Sequence, residues 1–181
     1  MLRFYSKEKT MEKQKRTVTM KGKPVTLIGD EIKIGKPAPD CEVIANDMSK
    51  VLLSSFSGKV RIICSVPSLD TSICDKETRR FNQDAENLVD DVVVLTISMD
   101  LPFAQKRWCG AAGVKNVHTL SDYRDALFGK AYGVLIKELR LLARAVFVVG
   151  KKGVVRYVQI VEETSNEPDY DAALEAVRKL L

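Results

Sequence analysis

Two apolar runs constrain this chain more than any other feature. "VRIICSV", Val60–Val66, and "VVVLTIS", Val92–Ser98, are rich in β-branched residues and nearly continuous. Runs of this kind mark strands buried on both faces of a sheet, unlike the strict alternation of a strand with one wet face. Pro67 ends the first run, and Leu101-Pro102 follows the second. Between them "SICDKETRRFNQDAENLV" predicts a helix. Ser72 is its expected N-cap, and Phe81, Leu88 and Val89 supply its apolar face.

The remaining segments fit around that unit. "TVTMKGKPVTLIG" alternates about Gly22-Lys23-Pro24 and predicts a β-hairpin. "GKPAPDCEVIAN" reads as a loop entering a short strand, and "KVLLSSFSGK" as another strand and turn. "PFAQKRWCGAAG" predicts a short helix that starts at Pro102 and closes at glycine. "VHTLSD" is a short strand or loop, and "DALFGKAYGV" a weak helix broken by glycines. "ARAVFVVGKKGVVRYVQIV" places two β-rich runs around a Gly-Lys-Lys-Gly turn, a strong hairpin signal. "EPDYDAALEAVRKLL" is a final amphipathic helix with Pro168 in its first turn. The implied class is α/β, with a mixed central sheet flanked by helices. β-α-β followed by α-β-β-α is the order of the thioredoxin-like fold, to which the N-terminal β-hairpin would be an addition. Neither a repeat nor an interdomain linker interrupts the chain. Residues 17–181 are expected to form one domain behind a basic N-terminal extension, residues 1–16.

Charge and composition exclude several classes of function. The chain of 181 residues carries a net charge of +5, but residues 1–16 hold six Lys/Arg against two Glu. The basicity therefore belongs to the extension and not to a folded face, which argues against a nucleic-acid partner. No window approaches the apolar length of a membrane span, and the start lacks the apolar core of a secretory signal. Four cysteines are too few for a disulfide-stapled scaffold. The expectation is a cytoplasmic protein, off the membrane, with mostly reduced thiols.

The cysteines, at 41, 64, 74 and 109, form no closely spaced pair, and His118 is the single histidine. That spacing argues against a structural zinc site and against a thioredoxin-type C-x-x-C reductase. No metal or organic cofactor is expected. Cys64 lies inside the first apolar run and Cys41 opens a short strand, so both read as small core residues. Cys74 differs, because it follows the break at Pro67 and falls in the first turn of the predicted helix. There, free backbone N–H groups and the helix dipole favour an anion, and hence the reactive thiolate. Thr71, three residues earlier, is placed to hydrogen-bond the sulfur or an incoming oxygen. Position alone leaves open a capping turn that happens to contain a cysteine.

"PSLDTSIC" fits the P-x-x-x-[TS]-x-x-C signature of the peroxiredoxins, with Pro67, Thr71 and Cys74 at the defining places. The longer "PSLDTSICDKETRRFN" resembles the bacterial thiol peroxidase subgroup, as do "LPFAQKRWCGAAG", "YRDALFGKAYGVLI" and "LLARAVFVVG". The resemblance spans about Thr17 to Leu181. It implies a thiol-dependent peroxidase on a thioredoxin-like fold. Cys74 would be the peroxidatic cysteine, converted by peroxide to a sulfenic acid. Cys109 would be the resolving cysteine, closing an intrachain disulfide that thioredoxin then reduces. The family's members are typically homodimers without a metal or organic cofactor. Arg144 interrupts an otherwise apolar segment, where an unpaired charge is very costly. The resemblance makes it the partner of the thiolate and peroxide oxygens, and Pro67 the shield against bulk solvent.

Other residues carry plainer expectations. Lys106 and Arg107 would help the Cys109 thiol ionise. Trp108 reads as a packing aromatic, His118 as an ordinary residue near a strand, and Asp70 and Glu77 as helix-cap and surface groups. A one-cysteine peroxidase, a redox sensor that passes its disulfide to a partner, and an unreactive binding module remain alternatives. A resolver five residues after Cys74 is excluded, because position 79 is arginine.

Overall fold

A computed structural model describes residues 16–86 and 90–181. The apolar runs form the middle of a seven-stranded mixed sheet. Its strands are β3 (Glu42–Ile44), β4 (Lys50–Leu52), β5 (Val60–Ser65), β6 (Val92–Ser98), β7 (Val117–Ser121), β9 (Ala145–Val149) and β10 (Val155–Ile160). They lie in the order β10-β9-β5-β6-β7-β3-β4. β5, β6 and β7 run parallel, while β9 pairs antiparallel with both β5 and β10, and β3 with β7 and β4.

The two-residue period of β5 divides the core. Val60, Ile62 and Cys64 face one side, where Phe81 of α1 (Ser72–Glu86) and Ala173, Leu174 and Val177 of α4 (Tyr170–Arg178) cover them. Ile63, with Leu95, Ile97 and Phe147, faces the other side. There it meets Phe128 of α3 (Leu127–Ala131) and the hairpin residues Val18, Val25 and Leu27. A fully buried side chain of this size contributes about 1.5–3 kcal/mol, so covering both faces decides the layering. The expected thioredoxin-like order is present. Leu88 and Val89, expected on the face of α1, lie outside the described residues.

The hairpin is β1 (Arg16–Met20) with β2 (Lys23–Ile28), and it acquires a third strand, β8 (Leu135–Ile136). Its turn falls one residue earlier than the Gly-Lys-Pro expectation. Lys21 and Gly22 both take positive φ, 52° and 74°, as a tight two-residue hairpin turn requires. The two residues of β8 were too few for any periodicity to show. Pro168 lies ahead of α4 and not in its first turn. Asp169 is the N-cap, its carboxylate accepting from Ala172 N at 2.9 Å. α2 (Pro102–Ala112) does begin at the proline and closes on Gly113 in the left-handed region.

Candidate active site

The chain leaves β5 through Val66 and Pro67, and the loop that follows is fixed from the next parallel strand. Asp100, just beyond β6, accepts from Ser68 Oγ at 2.7 Å and from Leu69 N at 2.8 Å. Ser98 Oγ donates to the same carboxylate at 2.7 Å, and Gln105 Nε2 of α2 donates to Ser98 Oγ at 3.0 Å. This polar cluster orients the turn into α1. Sequence reasoning missed it, although a Ser-x-Asp directly after a buried strand is its signal.

The helix cap sits one residue earlier than expected. Thr71, not Ser72, precedes the first helical residue, and its carbonyl accepts the first helical bond from Asp75 N at 2.9 Å. A threonine cap commonly turns its hydroxyl to a backbone N–H of the first turn. Here Thr71 Oγ1 lies 2.7 Å from Cys74 Sγ and 3.0 Å from Ser68 O. One hydroxyl proton serves two acceptors. It can go to the sulfur of a thiolate, or to Ser68 O when the sulfur itself carries a proton.

Arg144, immediately before β9, also reaches the sulfur. Its Nη2 donates to Cys74 Sγ at 3.3 Å and its Nε to Thr164 O at 3.0 Å. Its Nη1 donates to Glu77 Oε2 in a fully buried ion pair. Burial opposes the Arg144 charge, but the negative charges of Glu77 and Cys74 outweigh burial and raise the guanidinium above its ordinary value.

Glu77 is therefore not the surface group expected from sequence. It is completely buried, one turn beyond Cys74, and its Oε1 has no hydrogen-bond partner among the described residues. Burial pushes its carboxyl up to about 7 despite the pull of Arg144. The spacing of three from Cys74, which puts both on one helix face, could have revealed it. Asp70 is exposed, as expected.

A cavity of about 390 Å³ opens above this constellation. Pro67, Thr71 and Arg144 line it, with Met20, Ile73 and Leu141 as apolar wall. Cys74 itself is 0% exposed, so its sulfur sits beneath the residues that hydrogen-bond it. The hairpin tip that brings Met20 into the wall is pinned by Glu163, which accepts from Lys21 N and Gly22 N at 2.9 Å each.

Cys109, in the last turn of α2, is half-buried and lines a second cavity of about 350 Å³. All four cysteines are free thiols. Cys74 belongs to an apolar cluster with Val66, Leu69 and Trp108, and Cys109 packs against that cluster. The sulfurs keep separate partners, Thr71 and Arg144 for one, Thr119 and Asn46 for the other. Trp108 packs as expected and also donates Nε1–H to Asp75 Oδ1 at 3.0 Å, tying α2 to α1.

Burial pushes the Cys41 thiol up to about 12, and Cys64 also rises well above its ordinary value, so both stay protonated. His118 lies on β7 beside Phe56, where partial desolvation of its ring and the charge of Lys59 lower its pKa. Among the described residues no group of acidic, cysteine or histidine side chains is arranged to hold a metal ion. Among them, no helix is long and apolar enough to cross a membrane.

Known proteins resemble this chain in sequence and fold. The Redoxin family model matches residues 33–174. The thiol peroxidase of Halalkalibacterium halodurans is 57% identical over 91% of this chain and 99% of its own. That of Bacillus subtilis is 54% identical over 91% and 98%. Among solved structures, a peroxiredoxin-like protein from Aquifex aeolicus superposes with a TM-score of 0.86 at 44% identity, covering 92% of this chain and 98% of that one. A thiol peroxidase from Chromobacterium violaceum shares the fold, with a TM-score of 0.79 at 24% identity over 90% and 95%. A cysteine held by a threonine and an arginine at a helix start, on this sheet and with these relatives, has one conclusion: the chain belongs to the redoxin family, in its branch of peroxiredoxin-type thiol peroxidases.

Proposed function

We propose that this thiol-dependent peroxidase reduces hydrogen peroxide and organic hydroperoxides through Cys74, with Cys109 as the resolving cysteine. The observation that carries the reading is the placement of Cys74 Sγ between the Thr71 hydroxyl and the Arg144 guanidinium, beneath a cavity that both residues line. Two donors reach one sulfur, and charge-assisted hydrogen bonds of this kind are placed to stabilise negative charge in the reaction. The thiolate attacks one peroxide oxygen and the O–O bond breaks. The departing hydroxide or alkoxide takes a proton, and Cys74 becomes a sulfenic acid. Donors already in place on the reacting oxygens need no reorganisation during that step. Arg144 and Thr71 fill this role, and Pro67 shapes the wall that keeps bulk water off the sulfur.

Cys109 then displaces the sulfenic oxygen and closes an intrachain disulfide. Thioredoxin, the proposed reductant, restores both thiols, and the half-buried setting of Cys109 beside its own cavity supports access by a protein reductant. A cytoplasmic homodimer is part of the same proposal, as is a single peroxidase domain at 17–181 behind the extension at 1–16. The direct test is NADPH-coupled peroxide turnover with thioredoxin and its reductase. Cys74→Ser abolishes turnover in this reading, because a serine hydroxyl is hardly ionised at neutral pH. Near-normal turnover by that variant would reject Cys74 as nucleophile.

A further inference from the structure

The sulfur of Cys109 has a polar setting of its own, built from three elements. Thr119 of β7 is 4% exposed, and its Oγ1 lies 3.2 Å from Cys109 Sγ. Asn46, two residues beyond β3, donates from Nδ2 to that hydroxyl at 2.8 Å, and its amide lies 4.0 Å from the sulfur. A hydroxyl has one proton and two lone pairs. Asn46 occupies a lone pair. A second lone pair and the hydroxyl proton remain, so either the thiol or the hydroxyl can donate across the contact with Cys109. Once the sulfur has lost its proton the hydroxyl is the donor, and the bonds run from amide to hydroxyl to sulfur.

We propose that Thr119 and Asn46 are positioning residues for the second half of the reaction, holding Cys109 as the nucleophile that attacks oxidised Cys74. The proposal rests on the reading of Cys109 as resolving cysteine. In that step the Cys109 thiolate attacks the sulfur of the Cys74 sulfenic acid. The S–S bond forms, the S–O bond breaks, and hydroxide leaves and takes a proton to become water. The Cys109 sulfur is oxidised and the Cys74 sulfur reduced, both to the disulfide level. The other charged or titratable groups around the site are Asp47 and His118, which line the same cavity, and Lys106 and Arg107 in the preceding turn of α2. None of them is altered by the substitutions below.

The test separates the two steps in full-length protein. Reduced enzyme receives one equivalent of hydrogen peroxide and is quenched at intervals with an alkylating reagent. Mass spectrometry then follows loss of the Cys74 thiol and appearance of the Cys74–Cys109 peptide. Thr119→Val keeps the side-chain shape and removes the hydroxyl. It should leave the first step unchanged and slow the second about tenfold at pH 7, the scale of one hydrogen bond to a charged group. Thr119→Ser, which keeps the hydroxyl, should restore the rate. If Thr119→Val fails to fold, Asn46→Ala, at a half-buried turn, carries the same expectation. An unchanged second step, a faster second step, or a loss that Thr119→Ser does not restore would each overturn the proposal. If wild type itself forms no Cys74–Cys109 peptide, the resolving reading fails first and takes this proposal with it.

Discussion

One guanidinium connects the sulfur of Cys74 to the rest of the core. Arg144 donates to Cys74, Glu77 and Thr164 at once, so its plane is fixed before any peroxide arrives. Removing it leaves Glu77 buried without a partner, which for a charged carboxylate would cost about 3–5 kcal/mol. Burial already pushes that carboxyl up to about 7, so it can take a proton instead of remaining an unpaired charge. Arg144→Ala should therefore fold, while its stopped-flow rate with peroxide falls about 10²–10³-fold, the usual loss for one oxyanion donor. A folded, fully active Arg144→Ala protein would return Arg144 to a plain ion-pair role. Glu77 gives a second prediction, with a sign. Its folded pKa lies above its unfolded value, so the folded protein holds this proton more tightly. That stabilisation is whole below about pH 4.5 and fades as the pH rises to about 7. Glu77→Gln has no such proton to lose. In urea unfolding, its stability relative to wild type should rise from pH 5 to pH 8 by a few kcal/mol at most, at about 1.4 kcal/mol per pKa unit. Parallel pH curves would contradict the assignment. At this scale Cys74, Thr71, Pro67 and Arg144 were legible because each breaks a local pattern or fits a signature. Glu77 and Asp100 were not, because a single carboxylate in a polar stretch looks the same whether it ends up buried or exposed.

The elements that carry β-branched runs or a helical period were readable, and those fixed by contacts were not. β5, β6 and the β9–β10 hairpin declare themselves through Val and Ile content. β8 is two residues long and exists because β2 offers it an edge, with Leu27 opposite Ile136 and Ile28 opposite Leu135. The joint between this small sheet and α3 depends on a glycine that sequence could only mark as a turn. Gly29 has φ +105°, and a Cβ there would lie 2.0 Å from Lys130 O. The obstacle is backbone, so it cannot swing aside. Gly29→Ala should cost about 2–4 kcal/mol. At about 2–4 °C per kcal/mol for a chain of this size, that lowers the melting temperature by roughly 5–15 °C. Gly22→Ala is the control: it shares the positive φ, +74°, and so the backbone strain of about 1 kcal/mol, but a Cβ there meets nothing within 4 Å. It should lose no more than a fraction of that. Equal losses for the two variants would mean that the contact with α3 is not what makes Gly29 necessary.

Across the whole molecule, the two sulfurs of the proposed cycle face different cavities and hold different partners. Both belong to or pack against the apolar cluster around Trp108, and the Trp108–Asp75 hydrogen bond ties α1 to α2. A disulfide between them requires the sulfurs to give up hydrogen bonds they now hold. In the amino-acid order this shows only as a separation, 34 intervening residues spanning two elements. Which side of each helix a sulfur faces is a tertiary property, so spacing could not show the divergence. Cys41 and Cys64 are the competing thiols, and burial keeps both protonated. The most direct test is peptide mass mapping of reduced protein after one equivalent of peroxide. The account predicts a single new cross-link, Cys74 to Cys109 within one chain, with Cys41 and Cys64 still free thiols. Cys74 joined to Cys41, Cys64 or the Cys74 of a second chain would contradict Cys109 as resolver. Peroxide consumed with the Cys74 thiol intact would contradict the account at its root.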